Sequence, residues 1–136
     1  MKRLLILFGV LLISVCAKAQ SSCSAYRTGY FMFTDSAGNK ILIHRKNKYQ
    51  YEYSRHKEVM TQFQIKWNSD CEYTITQRIT NSRSQRKYRN SVTKVVISKS
   101  DGENGYYYSC ACIDDTLKGK ESFMKKISKQ EFYQHD

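Results

Sequence analysis

The residues with the greatest chemical capacity are the four of five cysteines that lie beyond residue 19, three histidines and a cluster of arginines. Cys23, Cys71, Cys110 and Cys112 form an even set, and four thiols admit three complete pairings. Cys110 and Cys112 are two residues apart. In a strand both side chains leave from one face, with Cβ atoms too far apart for the roughly 3.5–4.5 Å that a disulfide requires. Thiolates so placed could hold a soft ion such as Cu(I), but metal–thiolate motifs bring further ligands close by in sequence, and this one does not. His44, His56 and His135 are scattered, with no two at a spacing that shares one ion. The expectation is therefore no metal and no cofactor. The chain carries no G-x-S-x-G elbow, no H-E-x-x-H helix and no phosphate-cradling glycine loop, so no catalytic residue is nominated. Asp101-Gly102-Glu103-Asn104-Gly105 lacks the alternating oxygen ligands of a calcium loop and reads as a hairpin turn.

The stretch Arg78, Arg83, Arg86, Lys87 and Arg89, with Tyr88 among them, is the candidate for polyanion contact. Guanidinium groups grip phosphates, and an aromatic ring can stack a base. A solvated connection between strands has the same composition. Tyr106-Tyr107-Tyr108 puts hydroxyl-bearing rings on both faces of one strand, where they could line a ligand cavity or fill a small barrel.

Strands must position these groups. Pro is absent, Gly is scarce, and short runs of Tyr, Thr, Ile, Val and Phe alternate with Asn, Asp, Ser and Gly. The first strand runs from Tyr26 to Thr34, a turn over 35–39 follows, and Ile41 to Lys46 makes the second. Tyr49 to Ser54 is the third, with Tyr49, Tyr51 and Tyr53 on one face and Gln50 and Glu52 on the other. Phe63, Ile65 and Trp67 alternate with Gln62, Gln64 and Lys66 as a half-buried strand, and Cys71 to Thr76 pairs with it after a turn. A polar stretch from Arg78 to Asn90 leads to strands at Val92 to Ser98 and Gly105 to Ile113. Ser122 to Phe132 fits a strand or a helix, and the closing strand is favoured.

Seven or eight antiparallel strands, each with one apolar face, bury those faces by closing or stacking. The expectation is an all-β meander, a lipocalin-like barrel in preference to a sandwich, with a short C-terminal helix as the variant. Short turns make sequence neighbours sheet neighbours, and closure leaves no edge to aggregate. The core candidates are Phe31, Phe63, Ile65, Trp67, Tyr73 and Ile75.

Lys2 and Arg3 precede an apolar run from Leu4 to Cys16, and Ala17-Lys18-Ala19 follows, the order of parts in a secretory signal peptide. The run falls short of the roughly 20 residues that span a bilayer, so the mature chain is expected to have no transmembrane segment. Residues 1–19 are read as signal peptide and 20–136 as one β domain in a periplasmic or extracellular, oxidising setting. The whole chain carries +11, and losing Lys2, Arg3 and Lys18 leaves about +8, an excess that favours polyanions or anionic surfaces as partners.

Three ordered motifs carry a resemblance: Cys23-Ser-Ala-Tyr-Arg-Thr-Gly29-Tyr-Phe31, then Arg45 with Gln50-x-Glu52, then Ile65-Lys-Trp67-Asn-Ser-Asp70-Cys71-Glu-Tyr73. Over roughly residues 23–76 the chain resembles a family of small exported Bacteroidota proteins, many of which carry the label DNA topoisomerase IV. The resemblance implies a shared β domain and a Cys23–Cys71 bridge, and no activity. Cys110 and Cys112 lie outside it. The topoisomerase label conflicts with a chain too short for an ATPase fold plus a DNA-cleavage domain. These readings lead to an exported, non-catalytic binding or interaction module, with an anionic polymer or a small apolar ligand as candidate partner. A basic polyanion-binding surface protein and an enzyme whose residues converge only in three dimensions are the alternatives.

Overall fold

The computed structural model describes residues 22–54, 56–112 and 120–135, and of Cys112 the backbone only. The signal-peptide reading and the expected end of a strand at Ile113 lie outside the described residues. Eight antiparallel strands form one closed barrel in sequence order. They are β1 Gly29–Thr34, β2 Lys40–Arg45, β3 Tyr49–Ser54, β4 Val59–Trp67, β5 Glu72–Thr80, β6 Val92–Ser100, β7 Gly105–Cys112 and β8 Ser122–Ile127. Closure comes from β8 pairing with β1, Tyr30 opposite Ile127 and Met32 opposite Lys125. Among the described residues no helix is long and apolar enough to cross a membrane.

The chain departs from the sequence reading in three places. Tyr26 does not begin β1 but ends a 3-10 turn, Cys23–Tyr26, in which Ser22 accepts from Ser24 N and curls the backbone, and the strand starts at Gly29. The strand β5 runs on through Arg78 to Thr80, since β4 begins at Val59 and supplies partners for it. Ser122 to Phe132 divides between strand and helix: Ser128 accepts from Glu131 N and starts α1, Lys129–Gln134. The sequence separated the two faces of β3 without orienting them, and the face that turns inward is the polar one, Gln50 and Glu52, opposite Phe63 and Thr61.

Phe31, Ile43, Ile65, Tyr73, Ile75, Val95, Ile97, Tyr106, Tyr108 and Met124 pack inside the barrel, and Phe63 and Trp67 lie half-buried against them. A second apolar cluster sits outside the wall, where Phe132 of α1 covers Leu42 and Ile127 beside Tyr30, Met32 and Tyr53. That cover explains why the tyrosine face of β3 points outward. Gly105 holds φ +137°, and a Cβ there would collide with the Met124 carbonyl of β8. A glycine is therefore needed where the β6–β7 turn enters the sheet.

Candidate functional site

The two ends of the barrel differ in chemistry. One end carries the 3-10 turn as a plug. Cys23 and Cys71 form a disulfide across 48 residues, with Cα atoms 5.2 Å apart, and Cys23 N donates to Asp70 Oδ2 at 3.2 Å. Cys23, Asp70 and Cys71 bring three ligand-type atoms within 4.8 Å, but both sulfurs are used in the bridge, so the group offers no thiolate to an ion. Tyr26 drops into the end of the barrel and its hydroxyl meets Ser100 Oγ at 2.6 Å and the Gly102 and Gly105 carbonyls at 2.9 Å.

Under this plug lies Arg45, 1% exposed. Its Nε donates to Gln50 Oε1 at 2.8 Å, Nη1 to the Tyr26 carbonyl at 2.8 Å, and Nη2 to the Tyr73 and Tyr106 hydroxyls at 2.9 and 3.0 Å. The guanidinium lies over the Phe31 and Tyr73 rings, 4.8 and 4.7 Å from their centroids. Gln50 then passes the polarity along the strand, donating from Nε2 to Glu52 Oε1 at 2.8 Å. Arg45 and Glu52 are thus linked through one amide, a positive and a negative group inside an apolar barrel. Burial of the Glu52 carboxyl raises its pKa, and the Gln50 hydrogen bond and the Arg45 charge pull it partly back. Burial likewise raises Tyr73 and Tyr108, which keeps both phenols neutral donors and acceptors.

The opposite end is open. The half-buried Glu52 lines a hollow of about 150 Å³ there with Ile41, Val59, Thr61, Phe63 and Gln85. Beside it, sharing Ile41, Tyr53, Ser54 and Gln85, runs a wider groove of about 770 Å³ along the outer rim, bordered by Asn39, His56, Lys57 and His135. The interior room at this mouth is well below the ~300–1,000 Å³ of ordinary small-molecule sites. Cys110 and Cys112 both fall on β7, opposite Val95 and Thr93, and Cys110 is exposed at this same end.

The arginine stretch is split by the fold. Arg78, Arg86 and Arg89 line one cleft of about 340 Å³ with Gln77, Ile79 and Thr80, whereas Arg83 and Lys87 are not among its walls and Lys87 covers the Tyr88 ring at 4.9 Å. Of the three histidines, His44 stacks on Tyr30 at 4.5 Å, while His56 and His135 border one groove and His135 faces Glu131 at 4.0 Å.

Sequence reasoning missed Arg45 and Glu52 as interior groups. Period two already placed Arg45 on the face of Ile41 and Ile43, and that was the signal available. No protein-family model matches the chain, and comparison with curated proteins and with solved structures gives no match either.

Proposed function

We propose that this protein is an exported, non-catalytic binding module that takes its ligand at the open end of the barrel. The observation that carries the reading is the asymmetry of the two ends. One is sealed by a disulfide-tied plug over Arg45, whose three guanidinium nitrogens all donate, and the other presents a groove leading to a hollow lined by a carboxyl. The core beneath the hollow is occupied by side chains, so the ligand lies along the rim and sends one small group inward, where Glu52 accepts a hydrogen bond from it. A polar ligand fits this rim better than a small apolar one, because Asn39, Lys40, His56 and Gln134 border the groove.

The non-catalytic part rests on the surroundings of Glu52. Perturbed groups mark active sites when a partner able to act with them shares the cleft. Among the described residues the other polar groups of the hollow are Tyr53, Ser54, Thr61 and Gln85, with no histidine and no second acid; His56 and His135 border the adjoining groove and not the hollow. The disulfide is compatible with an oxidising, exported setting.

Native mass spectrometry of protein purified from its own exported fraction tests the reading. The expected result is a bound small molecule that is lost when Ser54→Trp fills the hollow, while circular dichroism stays unchanged. A bound molecule retained in full by that variant would overturn the assignment to the mouth.

A further inference from the structure

Between Glu72 and Asp101 the chain has seven basic residues and no acidic one. The fold gathers three of them. Arg78 is the extra residue of a β-bulge in β5, opposite Gln62 and Phe63, and a bulge at a barrel rim takes a side chain out of the in–out alternation. Gln64 Oε1 accepts from its Nε and Nη2 at 3.0 and 2.6 Å, and Asn90 Oδ1 accepts from Nη1 at 3.1 Å. These acceptors are neutral, so the guanidinium is held in place with its charge undiminished.

The loop that brings Arg86 and Arg89 to the same cleft is fastened to β5. Gln77 Nε2 donates to the Gln85 carbonyl at 2.7 Å, Asn90 N donates to the Gln77 carbonyl at 2.9 Å, and Gln77 N donates to the Ser91 carbonyl at 3.1 Å. Among the described residues none of the three arginines forms an ion pair. Three cations held around one cavity without a counter-charge cost electrostatic repulsion that an anion would relieve.

We propose that the cleft formed by Arg78, Arg86 and Arg89 is a binding site for one compact tetrahedral oxyanion, a phosphate or sulfate ester group. This rests on the reading of the open end as the binding end, and adds the chemical class of a group that end accepts. Guanidinium forks match tetrahedral oxyanions with paired hydrogen bonds, and an arginine already fixed by its neighbours loses little freedom on binding. The arrangement favours a single group over a polymer backbone. A polymer needs cations strung along a track and stacking rings beside them. Here the three arginines share one cleft of about 340 Å³, with Arg83 and Lys87 outside its walls.

Binding of inorganic phosphate and of glucose 6-phosphate, followed by backbone amide NMR on the full exported chain, tests the site. Both probes are expected to bind one per chain and to shift residues 77–91. Arg86→Gln/Arg89→Gln should weaken both about ten- to hundredfold, the effect of losing charge-assisted hydrogen bonds. Arg83→Gln/Lys87→Gln removes the same charge outside the cleft and should change affinity by less than about threefold, as screened surface charges do. Tighter binding of glucose 6-phosphate than of phosphate would identify an ester on a larger body, and equal binding the free anion; both support the site. Equal losses in the two double variants, or binding of heparin or single-stranded DNA with steep salt dependence and none of either phosphate, would overturn it. If the clamp fails while Ser54→Trp still expels a bound molecule, the open end remains the binding end.

Discussion

Arg45→Met tests the interior most sharply. Methionine keeps most of the stem and its packing but removes the guanidinium. Four acceptors lose their donor. The Tyr73 and Tyr106 hydroxyls, 3.2 Å apart, can satisfy each other, which leaves Gln50 Oε1 and the Tyr26 carbonyl orphaned. Two buried orphans at about 1–3 kcal/mol each, with the loss of the cation over two rings, give a cost of about 3–5 kcal/mol near neutral pH. The domain should still fold, since domains of this size hold about 5–15 kcal/mol. Urea unfolding should show the midpoint lowered by roughly 2 M. The cost also depends on pH, with a defined sign. Burial raises Glu52 above its unfolded value, so its contribution is full below about pH 4 and is lost as pH rises through the folded pKa. Arg45 limits that loss by drawing the pKa back. Without it the cost grows from about pH 4 upward, and adding Glu52→Gln should remove the pH-dependent part. A loss below about 1 kcal/mol, or one of equal size at about pH 4 and pH 7, would refute the charge linkage through Gln50.

Three further outcomes follow from single contacts. Cys71→Ala opens a loop closed across 48 residues and should cost about 4 kcal/mol by chain entropy, read by thermal unfolding against the oxidised wild type; unchanged stability would count against the bridge. Gly105→Ala must relieve a collision with the Met124 carbonyl at a φ that L residues avoid, so a loss of about 2 kcal/mol or more is expected by urea titration. Burial lowers the His44 pKa, with Lys46 and Lys129 adding to it, so stability is full above the unfolded value near about 6.5 and falls as pH drops toward the folded one. His44→Phe keeps a ring on Tyr30 and should flatten melting temperature between about pH 7 and pH 5, whereas an unaltered slope would contradict the assignment.

Much of the barrel was legible because its strands alternate. Phe63, Ile65 and Trp67 facing Tyr73 and Ile75 announce a shared interior, and short turns announce a meander. Which face of β3 turns inward was not legible, since three tyrosines look more buriable than Gln50 and Glu52. It follows from two distant facts: Arg45 is inside and requires an acceptor, and Phe132 arrives from the C-terminus to cover Tyr53 on the outside. The plug was masked for a similar reason. Tyr26 looks like the head of a strand, and only the tie from Cys23 to Cys71 and Asp70 shows that it turns under the barrel. At the arginine cleft the composition was plain, but the grouping of Arg78 with Arg86 and Arg89 and apart from Arg83 depends on a bulge that no local pattern announces.

Hydrogen exchange on the natively purified protein, compared with the same protein stripped of small molecules by unfolding and refolding, tests the division between the two ends most directly. The expected result is ligand-dependent protection confined to residues 35–39, 56–58 and 81–91, around the rim and the Glu52 hollow. Protection centred instead on residues 23–27 and 67–72, at the plug, would contradict it.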